Sequence, residues 1–122
     1  MSDTRHSGPF SVTLTETVTK GMCMILGTYP AAVVSTGDTV YPLGTALSDG
    51  VSGETILVEP MGNGKIVIGL GTATAGSPIA PSSSGSYQVC ASGDRMCGLA
   101  IDSATAAEFR FLNCGVSGGL LA

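Results

Sequence analysis

Apolar and hydroxyl-bearing positions alternate between residues 10 and 19. Phe10, Val12, Leu14 and Val18 fall on one side, and Ser11, Thr13, Thr15, Thr17 and Thr19 on the other, with Glu16 as the only break on the apolar side. A period of two over ten residues is the mark of a half-buried strand, and nothing in this stretch has helical spacing. Further short apolar runs predict strands at 22–26, 32–35, 55–59, 65–70, 87–90, 98–102 and 108–113. Gly62-Asn63-Gly64 lies between two of them, and Asn-Gly supplies the positive φ angles of a type I′ turn, so 55–70 reads as a β-hairpin. Gly37-Asp38, Asp49-Gly50 and residues 82–86 mark other turns. The one helix candidate, 104–108, has good propensity but is too short to stand alone. Residues 1–9 are polar, end at Gly8-Pro9 and read as a flexible N-terminal arm. The fold class expected is all-β: one small, compact, sandwich-like or barrel-like domain over 10–122, preceded by that extended arm.

The pattern also repeats. Thr17-Val18-Thr19-Lys20-Gly21 matches Thr72-Ala73-Thr74-Ala75-Gly76 at an offset of 55, and Gly44-Thr45-Ala46-Leu47 matches Gly98-Leu99-Ala100-Ile101 at an offset of 54. Glu54 and Glu108, again 54 apart, each open an apolar-rich strand. Matches in the same order at nearly the same offset point to two diverged repeats of about 54 residues, over roughly 15–68 and 70–122. Duplication explains how so short a chain closes a core, since each copy covers the other's apolar face.

Composition narrows the partners. Only 11% of residues are charged, against about 25% in soluble domains generally, so an extensive protein–protein contact desolvates few charges. A net charge of −4 with five Lys and Arg argues against nucleic acid as a partner, because phosphate neutralisation needs concentrated cations. No stretch reaches the roughly 20 apolar residues of a membrane span. The polar start, with Asp3, Arg5 and His6, does not read as a signal peptide, so synthesis in a cytoplasm is expected. In that reducing setting Cys23, Cys90, Cys97 and Cys114 read as small buried hydrophobes, and a Cys90–Cys97 bridge is conceivable but disfavoured.

Each candidate for chemistry lacks its companions. Gly115-Val116-Ser117-Gly118-Gly119 matches G-x-S-x-G, yet no histidine follows and the sequence stops three residues later. His6, the only histidine, lies in the arm, where a base is not held in place. Gly71-Thr72-Ala73-Thr74-Ala75-Gly76-Ser77 resembles a phosphate-binding loop without its lysine. Asp38, Asp49, Glu54, Glu59, Asp94, Asp102 and Glu108 are spread singly, and no calcium-loop run exists. We therefore expect no enzyme activity, no cofactor and no metal site.

The ordered elements (an alternating strand, a Thr-x-Gly turn, a Gly-x-Ala-aliphatic strand, then a second round) resemble the capsid decoration, or cement, proteins of tailed bacteriophages. The segments that carry the resemblance are 18–21, 43–47, 72–80 and 97–102. It implies a β-rich homotrimer on the outer capsid surface of a virion, clamping neighbouring major capsid proteins after head expansion, with no catalytic residues. Lambda-type members carry some helix, which this sequence hardly offers. On that reading the arm and first strand, with Arg5, His6, Pro9, Phe10, Val12 and Leu14, are the expected partner-binding residues, adding to a sheet edge of the partner. The alternatives are another virion β assembly protein, such as a tail or fibre component, or a small-ligand-binding barrel. Low aromatic content counts against the last.

Overall fold

The computed structural model describes residues 8–26, 31–34, 37, 42–91, 93–94 and 96–114, with backbone only for 31–34. Among these residues there are ten strands, a single 3₁₀ turn at Ser83–Gly85 and no α-helix. The strands are β1 (Phe10–Leu14), β2 (Cys23–Leu26), β3 (Ala31–Val34), β4 (Gly44–Ala46), β5 (Thr55–Pro60), β6 (Ile66–Ala73), β7 (Pro78–Pro81), β8 (Tyr87–Val89), β9 (Gly98–Ala100) and β10 (Ala104–Leu112). They close into two five-stranded barrels, in the order β1-β3-β2-β4-β5 and β6-β8-β7-β9-β10.

The two barrels share one connectivity. In each, the first strand runs parallel to the third and antiparallel to the fifth, and every other pairing is antiparallel. The equivalence extends to single hydrogen bonds. The N–H of Gly21 donates to Ala46 O at 2.9 Å, and that of Gly76 to Ala100 O at 2.8 Å. Leu43 N–H donates to Met24 O, and Cys97 N–H to Ile79 O, both at 2.7 Å. Gly21 (φ +95°) and Gly76 (φ +83°) supply the left-handed backbone of the equivalent turns. Gly44 and Gly98 are required by close approach instead. A Cβ on Gly44 would lie 2.1 Å from Glu59 O, and one on Gly98 2.5 Å from Leu112 O. The two barrels are thus a structural duplication, with the Gly-x-Ala match falling on β4 and β9, but its units run over 10–60 and 66–112 rather than 15–68 and 70–122, a division that would cut through β6.

Each barrel has its own core, and the two differ in filling. The first holds the aliphatic side chains Val12, Leu14, Val18, Met24, Ala46, Ile56 and Val58. The second holds Val67, Ala73, Ile79 and Ala100 around three aromatic rings. Tyr87 stands edge-on to Phe109, with centroids 6.2 Å apart, and Phe111 lies 5.2 Å from Tyr87. Three aromatics replace several aliphatics because glycine makes room: a Cβ on Gly69 would meet the Phe111 ring at 2.9 Å. The four thiols form no disulfide; Cys23, Cys90 and Cys97 are buried and Cys114 is exposed.

Several local expectations are corrected. Residues 55–70 are not a hairpin: β5 closes the first barrel and β6 opens the second, so the Asn-Gly segment is the connection between them. Gly62 and Gly64 have positive φ, but Asn63 does not, as a type I′ turn would require. Its side chain serves tertiary bonds instead. Residues 104–108 belong to β10, not to a helix, because pairing with β6 outweighs a weak local preference. That pairing slips between Ala104 and Ala107, where Ala106 takes φ +49° in a β-bulge. The first strand ends at Leu14 rather than running to 19, and Val18 makes only an isolated bridge to Gly50. The G-x-S-x-G sequence at 115–119 and residues 1–7 of the arm lie outside the described residues.

Candidate interaction surface

The outer wall of the first barrel meets the second barrel at its β6–β8 seam. On β2 and β4, Met24 and Ala46 point into the first core, so by strand alternation their neighbours Cys23 and Thr45 point out of it. These outward residues are nevertheless 0% and 1% exposed. Cys23 packs into the second barrel's core. Thr45 Oγ1 and the Tyr87 hydroxyl share a buried hydrogen bond of 2.6 Å. The ring of Tyr87 lies among Phe109 and Phe111, so its hydroxyl carries the second core to the first barrel's outer wall. Burial, followed by the nearby Cys23 and Cys97 sulfurs, pushes the phenol pKa well above its ordinary value, which keeps the hydroxyl protonated as a donor or acceptor. One backbone bond joins the same surfaces, from Leu70 N–H to Gly21 O at 3.0 Å. It lies where the second barrel's seam is thinnest, since β6 and β8 pair only at Gly71 and Tyr87.

Asn113 locks the connection. It is fully buried, its Oδ1 accepts from Gly62 N–H at 2.9 Å, and its Nδ2 donates to Pro60 O at 2.7 Å and to Asn63 Oδ1 at 2.8 Å. Asn63 in turn donates to Glu59 Oε2, which also faces Lys65 Nζ at 3.8 Å. Every polar atom of a side chain that joins the barrels is thereby satisfied, and no buried side-chain N or O among the described residues lacks a partner. The unit is held as one body rather than as two loosely strung barrels.

The outer wall of the second barrel is different in character. Ile66 pairs with Leu112, Leu112 with Leu99, and Leu99 with Pro78, which makes one apolar row across β6, β10, β9 and β7. Ile66 is 55% and Leu99 39% exposed, and Leu112 and Pro78 are half-buried. A contiguous exposed apolar row is a mark of an interaction surface in a way that single exposed side chains are not.

The partner-binding residues expected from the sequence separate. Arg5 and His6 lie outside the described residues. Pro9 is exposed and Phe10 is partly buried against the first core. Val12 and Leu14 are 2% and 1% exposed, inside the barrel, and are core rather than contact residues. β1 is bonded to β5 on one edge and to β3 on the other, so its ladder is already used. The row on the second barrel was missed, although one signal for it existed. At the variable position of the Gly-x-Ala match, Thr45 in the first repeat becomes Leu99 in the second.

For chemistry, no group of three His, Cys, Asp or Glu lies together among the described residues. No helix among them is long and apolar enough to cross a membrane. No protein-family model matches the chain, and no curated protein matches it. Among solved structures the chain is similar to the crystal structure of the head fiber gp8.5 N base of bacteriophage phi29. The two are 13% identical, with a TM-score of 0.68 over 93% of this chain and 97% of that one. A likeness covering 93% of the chain takes in both barrels, and at this identity it is a likeness of fold.

Proposed function

We propose that this chain is a structural protein of a tailed-phage virion that binds the outside of the head, as a homotrimer, where major capsid proteins meet. The observation that carries the reading is the likeness, over nearly the whole of both chains, to the base of a phage head fibre. The sequence supports it independently through the resemblance to capsid decoration proteins. The surface suits such a role, because a chain with 11% charged residues builds a wide, wet interface with little desolvation penalty. Three linked copies raise the effective concentration of each contact, so individually weak contacts hold. In this role the chain acts by binding and has no catalytic, cofactor or nucleic-acid chemistry.

Incubating purified expanded heads with the protein and sedimenting them tests the reading. The chain is expected in the head pellet at a fixed number of copies per head, at outer positions in an image reconstruction. Heads that pellet without it sink the proposal.

A second reading is favoured by the neighbour being the base of a fibre: the two barrels seat a fibre on the head rather than clamp the shell. Heat resistance of the heads separates the two. A cement protein raises the temperature at which heads release DNA, whereas a fibre base binds and leaves it unchanged.

A further inference from the structure

The connection between the barrels contains a chemically labile sequence. Of the asparagines in the chain, Asn63 is followed by Gly64 and Asn113 by Cys114. An asparagine side chain loses ammonia when the next residue's backbone nitrogen attacks its carboxamide carbon. Glycine, with no Cβ, leaves that nitrogen the least hindered and its backbone the freest to turn. In the step, Gly64 N bonds to Asn63 Cγ, its proton passes to solvent, and the Nδ2 group takes up a proton and departs as ammonia. Water then opens the cyclic imide at either carbonyl. The product is aspartate, or isoaspartate with the main chain rerouted through the side chain.

The closed junction engages both partners in that reaction. The nucleophile, Gly64 N–H, donates to Asn113 O at 2.8 Å, so the proton it must lose is held. The electrophile is gripped at both ends. Asn63 Oδ1 accepts from Lys65 N–H at 3.1 Å and from Asn113 Nδ2 at 2.8 Å, and Asn63 Nδ2 donates to Glu59 Oε2. Ring closure needs the carboxamide carbon and Gly64 N in attack geometry, and turning the side chain toward it gives up these bonds. Asn113, the centre of the contacts, is 0% exposed and is itself fixed by Gly62 N–H and Pro60 O. We propose that Asn63 is a deamidation site that the closed junction keeps intact and that becomes reactive when the barrels part.

The product cannot remake the junction. Aspartate at position 63 has no N–H for Glu59, and it sets a second carboxylate against one that is 7% exposed and already faces Lys65. Like charges at a buried site oppose each other, and the lost buried bond adds to the cost. Isoaspartate is worse. It lengthens the backbone of a connection of only five residues, 61–65, whose Gly62 and Gly64 N–H groups must both reach Asn113. Opening of the junction is thus recorded covalently, and a chain that has parted its barrels for long enough does not close them as before. None of this depends on attachment to heads.

Incubating the full chain folded, and in parallel in guanidinium chloride, in one mildly alkaline buffer tests the proposal. Peptide mapping by mass spectrometry follows the mass gain of amide turned into acid at residues 63 and 113. Asn63 should convert in guanidinium, ahead of Asn113. In the folded protein it should convert at least about tenfold more slowly, because only molecules with the junction open react. Asn113→Ala removes a donor to Asn63 Oδ1 and should raise the folded rate several-fold, with circular dichroism confirming the fold. Asn113→Ser is the milder substitute, and should neither variant fold, the wild-type comparison decides alone. Wild type converted in guanidinium and returned to buffer should melt below a sample unfolded only briefly. The donors on Oδ1 would assist the attack if Gly64 N could reach it, so the sign of the folded–unfolded difference is decisive. A folded rate equal to or above the unfolded one, a folded Asn113 variant that keeps the wild-type rate, or a converted chain that melts like the fresh one each overturns the proposal.

Discussion

Removing the Tyr87 hydroxyl while keeping its ring isolates the polar half of the barrel junction. In Tyr87→Phe the aromatic packing against Phe109 and Phe111 is unchanged, but the Thr45 hydroxyl, 1% exposed, loses its 2.6 Å partner. A buried hydroxyl left without a partner costs about 1–3 kcal/mol. Thr45→Val, nearly the same in shape, takes away the phenol's Thr45 partner but leaves it the Cys23 thiol, so its cost should sit at the low end, about 1 kcal/mol. The double variant strands neither group, and replacing both partners by apolar groups of the same shape is close to neutral. The two single losses therefore should not add, and the coupling should be about 1–3 kcal/mol, in the range found for residues in contact. Urea unfolding followed by tyrosine fluorescence for the wild type and Thr45→Val, and by circular dichroism for all four proteins, measures it. For a chain of this size each kcal/mol also moves Tm by roughly 3–5 °C. Additive losses, with the double variant worse than either single one, would falsify the view that this bond ties the barrels together.

Three further outcomes follow from the geometry. Gly44→Ala and Gly98→Ala should destabilise to a similar degree, by about 1–3 kcal/mol or more on the scale of overpacking, since each places a Cβ within 2.5 Å of a strand carbonyl on the neighbouring β5 or β10; an unchanged urea midpoint for either one denies the equivalence of β4 and β9. Arg110 holds Asp102 through two side-chain bonds of 2.9 Å and a backbone bond, drawing the carboxyl pKa down to about 2. Because the folded value lies below the ordinary 3.8, this pair's contribution is complete above about pH 4 and is lost as pH falls through about 2. Carbon-detected NMR should find Asp102 titrating near that lower value, and Asp102→Asn should remove the dependence. In the native protein at neutral pH a maleimide should label Cys114 alone, and mass spectrometry should find Cys23, Cys90 and Cys97 labelled only in denaturant, because the fold buries those three.

The sequence revealed more about the fold than about the surface. Strands with clean alternation, such as 10–14, and the Gly-x-Ala pair were readable because sterics act locally: no other residue than glycine fits beside Glu59 O or Leu112 O. β7 escaped because Pro78 and Pro81 bound it, and proline ordinarily argues against a strand. The Asn-Gly segment misled because its turn signal is local, whereas Asn113, some fifty residues away, dictates what Asn63 does. The bulge at Ala106 has no local cause and follows from register with β6. Surface residues were the least legible. Val12 and Ile66 are equally apolar in sequence, and only closure of each barrel decides that one is core and the other is open to solvent.

The division of the chain into successive barrels also bears on how the protein is made. All strands of the first barrel lie before Met61 and all those of the second after Lys65, so neither barrel waits for residues from the other to complete its sheet. The first barrel has its whole ladder as soon as residue 60 has left the ribosome, and chains fold N-terminal part first during synthesis. Its Cys23 and Thr45 side chains then stand open until the second core and Tyr87 on β8 arrive to cover them. Tethering favours the correct cover, because the second barrel is joined to the first by only five residues, 61–65, and reaches the wall before another chain can.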